Sequence, residues 1–228
     1  MTALKKITVL LVEDHVVVRQ SLCRLLEAEG QYGVVGQAKN GREAVEMAAS
    51  LRPDVILMDI AMPVLNGHGA TRQIIAANPA AKVLVLSAHS ENVYVERMTA
   101  AGAMGFLEKQ TSAAILIHAI HEVAEGKSFF SPAIAKRQAA TRNRSRDRHG
   151  MTKSHGPHLT PRETEVLQLV AEGHINKQIG GTLGISLKTV EKHRQHVMKK
   201  LGLRGTADLT RYAMVHGIIE SSVQVTII

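Results

Sequence analysis

Val55-Ile56-Leu57-Met58-Asp59-Ile60-Ala61-Met62-Pro63 sets four consecutive apolar residues directly before a carboxylate. A short unbroken apolar run suits a strand buried on both faces, as in a parallel sheet covered by helices. Runs of the same kind stand on either side: Ile7–Val12, Val34–Ala38, Lys82–Leu86 and Gly105-Phe106-Leu107. The stretches between and after them repeat their apolar residues at helical spacing. They read as helices over His15–Ala28, Gly41–Ser50, Gly67–Ala77, Glu91–Ala101 and Ala113–Glu125. Strand and helix therefore alternate through the first half of the chain. The pattern predicts an α/β domain, a five-stranded parallel sheet with helices on both faces. Such sheets bind ligands at the carboxyl ends of their strands.

Chemistry-bearing residues fall at those ends. Glu13 and Asp14 follow the first strand, Asp59 ends the third, Ser87 the fourth, and Lys109 follows the fifth. Carboxylates held together repel one another and need a cation. Hard oxygen ligands at an open site suit Mg²⁺, which also bridges phosphate oxygens. Lys109 adds a fixed positive charge, and the Ser87 hydroxyl can donate to a phosphoryl oxygen. A carboxylate in that setting can attack phosphorus. An isolated Asp at a strand end is usually a turn residue; convergence of all these positions argues against that reading. A hydrolase with an aspartyl nucleophile wants a second Asp two residues on as general acid, and Ala61 stands there. No Gly-x-Gly-x-x-Gly follows the first strand, which disfavours a dinucleotide site.

Glu13-Asp14, Asp59-Ile-Ala-Met-Pro63, Ser87 and Gly105-Phe-Leu-Glu-Lys109 resemble the receiver domain of two-component response regulators. The resemblance spans residues 6–125 and implies a flavodoxin-like strand order. It implies that Asp59 is the phosphoacceptor. Glu13, Asp14, Asp59 and the backbone carbonyl of Ala61 would hold Mg²⁺, and Ser87 and Lys109 would sense the phosphoryl group. Phe106 occupies the switch-aromatic position, where Tyr is common. Phe has no hydroxyl, so any signal through it is one of packing, an inward turn on activation.

The second half is helical. Thr160-Pro161-Arg162-Glu163 is a helix start, with Thr160 as cap, Pro161 in the first position and Glu163 completing a capping box. Asn176, Ser186 and Thr206 read as caps of three further helices, which Gly184, Gly202 and Gly217 end. A short helix, the turn Gly184-Ile185-Ser186 and a longer basic helix make a helix-turn-helix. On the longer helix, Val190, Val197 and Leu201 share a core face; Lys188, Glu191, Lys192, Gln195 and Lys199 share the outer one. Gly180-Gly181 weakens the shorter helix, at about 1 kcal/mol per Gly relative to Ala, unless close packing needs the missing side chains.

Leu159 to Gly173, Asn176-Lys-Gln-Ile179 and Leu183 to His193 are similar to the helix-turn-helix of the LuxR/FixJ/NarL group. The similarity covers residues 158–219. It implies that Glu191, Lys192 and Gln195 face bases. Ser186, Lys188, Thr189, His196 and Lys199 are implied as phosphate contacts, and Leu209, Tyr212, Ala213 and His216 as a dimer contact. Together the two resemblances imply a bacterial response regulator, NarL/FixJ in type. A sensor histidine kinase would phosphorylate it, and it would bind double-stranded DNA as a homodimer when phosphorylated. It is expected not to be an enzyme beyond self-phosphorylation and slow loss of that phosphoryl group.

Charge follows the same division. Residues 1–125 hold 11 Lys and Arg against 13 Asp and Glu, while 126–228 hold 17 against 7. A nearly neutral front and a basic back point to a polyanionic partner for the second part. Single-stranded RNA recognition leans on aromatic stacking, and Tyr212 is the basic domain's lone aromatic residue, so duplex DNA fits better. The expected organisation is a receiver over 1–125, a flexible basic linker over 126–157 and a DNA-binding domain over 158–228. In the linker, Ser131-Pro132 could start a short helix. Arg142-Asn-Arg-Ser-Arg-Asp-Arg148 lacks the apolar residues of a core, and His149, His155 and His158 read as solvated. Cys23 is the single cysteine and sits in an apolar helical pattern, so no internal disulfide is expected. Met1–Lys6 lacks a signal-peptide run, and no window reaches about 18 uninterrupted apolar residues, so the expected location is the cytoplasm.

Overall fold

The computed structural model describes residues 6–88, 92–131, 134 and 159–219. The basic tract 142–150, the three linker histidines, the Ser131-Pro132 helix start and the expected start of a helix at Glu91 lie outside the described residues, wholly or in part. Two compact units divide the chain.

The first unit alternates β1 (Ile7–Val12), α1 (Val16–Ala28), β2 (Tyr32–Ala38), α2 (Gly41–Leu51), β3 (Val55–Asp59) and α3 (Gly67–Ala77). It continues with β4 (Val83–Ser87), α4 (Asn92–Ala100), β5 (Gly105–Glu108), α5 (Ala113–Ala124) and β6 (Phe129–Phe130). The sheet order is β2-β1-β3-β4-β5-β6, and every neighbouring pair is parallel. The sheet thus has six strands rather than five. The extra strand falls in the stretch read as linker: Phe129 and Phe130 pair with Gly105 and Phe106. Two residues are too few to show a strand period, so only the pairing reveals it.

The sheet is held as its composition demands. Val9 and Leu11 pack with Leu57, Leu84, Leu86 and Leu107 under α1 and α5, in a core shared with Leu116, Ile120 and Val123. Leu10, Met58, Val85 and Phe106, at alternate positions of their strands, are equally buried on the opposite face. Asp54 and Thr8 fix the register at the other end of β1 and β3: the Thr8 amide and hydroxyl donate to Asp54 Oδ2 at 2.8 and 2.7 Å. Side-chain caps start three helices, with Asn40, Asn66 and Ser112 each accepting from a backbone N–H three residues on. The β3 and β4 strands run one residue further than their apolar runs, so Asp59 and Ser87 lie within the sheet's last rung.

The second unit is four helices: α6 (Pro161–Ala171), α7 (Asn176–Leu183), α8 (Leu187–Leu201) and α9 (Thr206–Val215). Val166, Leu167, Val170, Ile179, Leu183, Val190 and Val197 form its core together with Leu209 and Ala213. Thr160 and Glu163 make the reciprocal capping box, and Ser186 caps α8 through the Thr189 amide. Two expected caps are corrected. Ile175 and Gly205 occupy the cap positions, and neither Asn176 nor Thr206 caps its helix. Both side chains instead accept from Arg194, Asn176 Oδ1 at 2.6 Å and Thr206 Oγ1 at 2.8 Å. One guanidinium on α8 therefore ties the starts of α7 and α9 to it.

The two glycines of α7 differ. A Cβ on Gly180 would lie 2.8 Å from the Ile185 carbonyl oxygen, whereas one on Gly181 would meet nothing within 4 Å. Gly181→Ala is therefore expected to stabilise this unit by about 1 kcal/mol, and Gly180→Ala to gain less or to lose stability. Thermal melts of the two variants check the order; equal gains would mean that the close approach is immaterial.

Candidate functional site

The carboxyl ends of β1, β3, β4 and β5 bring the expected residues together. The Glu13 amide donates to the Ala38 carbonyl, so this residue still belongs to the sheet edge although its strand has ended. Glu13 and Asp59 are 2% and 3% exposed, and Ser87 is as deeply buried. Lys109 Nζ lies 2.8 Å from Glu13 Oε2 and 3.0 Å from Asp59 Oδ2. The Lys109 amide donates to the Ser87 carbonyl, which fixes the start of the loop that carries the ammonium. Ile60 N–H donates to Asp59 Oδ1 at 2.8 Å.

These charges are not balanced. Burial, then the Glu13 charge, push the Asp59 carboxyl up to about 6, against the opposing pull of Lys109 and the Ile60 amide. Burial works against the Lys109 ammonium, but Glu13 and Asp59 outweigh it and hold its pKa above the ordinary lysine value. Glu13, Asp14 and Asp59 are acidic, and one ammonium sits directly among them.

The donor set fits a divalent cation. One potential ligand atom from each of Glu13, Asp14, His15 and Asp59 lies within 4.8 Å of the others. Asp14 Oδ1 and Asp59 Oδ2 are buried acceptors that receive no hydrogen bond. Lys109 stands 3.0 Å from the latter as an ion pair, without hydrogen-bond geometry. Buried carboxylate oxygens left in this way are costly unless a cation takes them. Ala61 is half-buried two residues beyond Asp59.

Phe106 is 1% exposed and packed in the sheet's core layer. The expected inward turn on activation therefore has no outward starting rotamer in this structure. Arg19 is a residue the sequence reading missed. Its Nη1 donates to the carbonyls of Glu13 and Asp14 at 2.6 and 3.3 Å, pinning the loop that carries the acid pair. Its distance of one helical turn from His15 was the available signal.

In the second unit, Lys188, Glu191, Lys192, Gln195, His196 and Lys199 all lie exposed on α8, with Ser186 exposed at its start and Thr189 half-buried. Ser186 Oγ and Thr189 Oγ1 stand 2.9 Å apart. The back of the helix is clamped to α6: Lys200 Nζ lies 2.6 Å from the buried Glu163 Oε2, which also accepts from the Thr160 amide. The expected dimer contact is corrected in part. Leu209 and Ala213 are 1% and 0% exposed and belong to the core, so they are not available to a partner. Tyr212 is half-buried, and its ring stacks on exposed His216 at 3.8 Å. The large apolar side chains that α9 leaves exposed are Met214 and Val215.

Known proteins carry the same two parts. Residues 9–121 match the response regulator receiver domain, and residues 157–213 match the bacterial regulatory proteins of the luxR family. The transcriptional regulatory protein MctR of Rhizobium johnstonii is 36% identical over 219 residues, covering 96% of this chain and 98% of that one. The response regulator protein VraR of Staphylococcus aureus is 35% identical over 214 residues, 94% of this chain and 99% of its own. Among solved structures, a LuxR-family two-component response regulator from Aurantimonas sp. SI85-9A1 aligns with a TM-score of 0.58 and 32% identity, covering 61% of this chain and 99% of that one. Among the described residues no helix is long and apolar enough to cross a membrane. A flavodoxin-like parallel sheet bearing an acidic strand-end site, followed by a helix-turn-helix unit and matched nearly end to end by such relatives, places this chain in the family of response regulators with a receiver domain and a LuxR-type DNA-binding domain.

Proposed function

We propose that Asp59 accepts a phosphoryl group from a sensor histidine kinase and that this controls promoter binding by the helix-turn-helix unit. The observation that carries the proposal is the buried Asp59 carboxylate, bridged to Glu13 by the Lys109 ammonium at the carboxyl edge of the sheet. A carboxylate oxygen of Asp59 attacks phosphorus; the acyl phosphate bond forms as the bond from phosphorus to the donor histidine nitrogen breaks. Lys109 then pairs with the added charge, and the Ser87 hydroxyl donates to a phosphoryl oxygen. Glu13, Asp14, Asp59 and the Ala61 carbonyl would hold Mg²⁺, which when bound offsets charge on the phosphoryl oxygens. The chain turns over no external substrate beyond taking up and slowly losing this group, and it works in the cytoplasm.

On DNA, Glu191, Lys192 and Gln195 read base edges, while Ser186, Lys188, Thr189, His196 and Lys199 hold phosphates. Two copies pair on phosphorylation, with Met214 and Val215 supplying the apolar part of any contact through α9. The connection between the parts, expected over 126–157, begins with β6 against the sheet.

The first test is incubation of the full chain with Mg²⁺ and acetyl phosphate, followed by intact-mass measurement and mapping of the modified residue. A single phosphoryl group on Asp59 is expected; modification elsewhere contradicts the assignment. For the second unit, affinity for a duplex selected from a random pool is expected to fall by roughly 10³-fold or more as salt rises from about 50 to 200 mM. Lys192→Ala should cost about 1–3 kcal/mol and relax sequence preference. Unchanged affinity and preference would remove α8 from the groove.

A further inference from the structure

His15 follows the acid pair directly and has no part in the chemistry above. Its Nδ1 lies 3.1 Å from Glu13 Oε1 and 2.9 Å from Asp14 Oδ1. Two ligand atoms on adjacent corners of an octahedral ion, each about 2.1 Å from it, are separated by about 3.0 Å. Both spacings match that edge. The shorter one is not a hydrogen bond, since Asp14 Oδ1 is a buried acceptor without a hydrogen-bond donor. The two atoms form a close ion pair, at a spacing that a shared ion would also give. Asp59 Oδ2, a second buried oxygen without a hydrogen bond, belongs to the same group of four side chains.

We propose that His15 is a nitrogen ligand of the divalent-ion site, and that it gives the site a preference for late first-row transition ions over Mg²⁺. The proposal rests on the reading that Glu13, Asp14 and Asp59 hold a divalent cation. Mg²⁺ favours oxygen ligands and keeps its waters, so an imidazole adds little to its binding. Co²⁺ and Ni²⁺ bind imidazole strongly, and affinity for mixed nitrogen and oxygen sites rises toward that end of the series. The His15 side chain is 69% exposed, so it reaches an ion entering from solvent and its removal leaves the core intact. In this structure Nδ1 donates to Glu13 Oε1, and an entering ion would take the place of that proton. The site so formed distinguishes ions by their affinity for nitrogen, with the phosphoacceptor carboxylate as one of its ligands.

The test is calorimetric titration of the full chain with Mg²⁺ and, separately, Co²⁺, on wild type, His15→Ala and Asp14→Asn. The Asp14→Asn variant marks which Co²⁺ phase belongs to this site, because binding by His149, His155 and His158 is common to all three proteins. The ratio of Co²⁺ to Mg²⁺ affinity at the site is expected to fall at least tenfold in His15→Ala. An unchanged ratio, with both affinities intact or both lowered together, overturns the proposal, since a charge or loop-positioning role of His15 moves both ions alike. The absence of Mg²⁺ binding in wild type, or Mg²⁺ binding untouched by Asp14→Asn, instead overturns the metal-site reading itself. A Co²⁺ visible spectrum supplies an independent readout: the nitrogen-ligated band of wild type should be lost in His15→Ala.

Discussion

Asp59→Asn is expected to abolish phosphoryl uptake from acetyl phosphate and, at pH 7 without divalent ions, to make the receiver unit more stable than wild type. The first effect is chemical: an amide oxygen is a poor nucleophile toward phosphorus, and no other carboxylate of the cluster carries the same pairing with Lys109 and the Ile60 amide. The second follows from the raised carboxyl. Its pKa is about 6 in the fold against an ordinary aspartate value of 3.8. The ionised form is therefore penalised in the folded state, and the penalty is complete above about pH 6. It fades as pH falls through 6 toward 4, where the folded carboxyl takes up its proton. Two pKa units correspond to roughly 2–3 kcal/mol, a rise in melting temperature on the order of 5–10 °C for the variant. Melts at pH 7 and pH 4.5 check the sign: the advantage of Asp59→Asn should be large at the first and small at the second. Added Mg²⁺ should narrow the gap at pH 7 by stabilising wild type. A variant less stable than wild type at pH 7 would mean that the Lys109 pair outweighs burial and the repulsion from Glu13.

Gly67→Ala should be the most damaging single methyl in the receiver. A Cβ at this position would sit 2.1 Å from the carbonyl oxygen of Asp59 and 2.9 Å from Ile60 Cα. Both are backbone atoms, and the Gly67 amide already donates to the Ile60 carbonyl at 2.8 Å, so α3 cannot slide away without breaking that bond. Relief must come from moving the end of β3, which carries the phosphoacceptor. A loss of at least about 3 kcal/mol is expected, beyond the ordinary cost of overpacking. Phosphoryl uptake should fall in whatever protein remains folded. Melting and the acetyl phosphate assay on the same preparation check both; a variant within about 0.5 kcal/mol of wild type would mean that the helix start is looser than its hydrogen bond implies.

Local pattern carried the reading where one face of an element faces one kind of environment. The apolar spacing of 67–77 reads as a helix, and the structure reproduces those bounds, with Asn66 found as its cap. Glu13, Asp59, Ser87 and Lys109 converge because a parallel sheet aligns the carboxyl ends of its strands, so position along the chain was enough to group them. Pattern failed where the deciding partner is distant. Asn176 and Thr206 have the chemistry of caps, but Arg194, 18 and 12 residues away, takes their oxygens. Leu209 and Ala213 lie on an apolar stripe, and a stripe does not say whether a second copy or α6 covers it; here the core does. β6 escaped because a two-residue strand exists only through its neighbour. Arg19 and His15 escaped because each acts on the acid pair through geometry across a loop and not through a repeated spacing.

Phosphate at Asp59 is expected to change what the helix-turn-helix does. The direct test is the affinity of the full chain for a duplex selected from a random pool, measured with Mg²⁺ in the presence and absence of acetyl phosphate, for wild type and Asp59→Asn. The expected result is a gain of tenfold or more in wild type alone, which is about 1.4 kcal/mol of coupling between the two sites. Equal affinities in both conditions, with phosphorylated wild type confirmed by mass, would contradict the account.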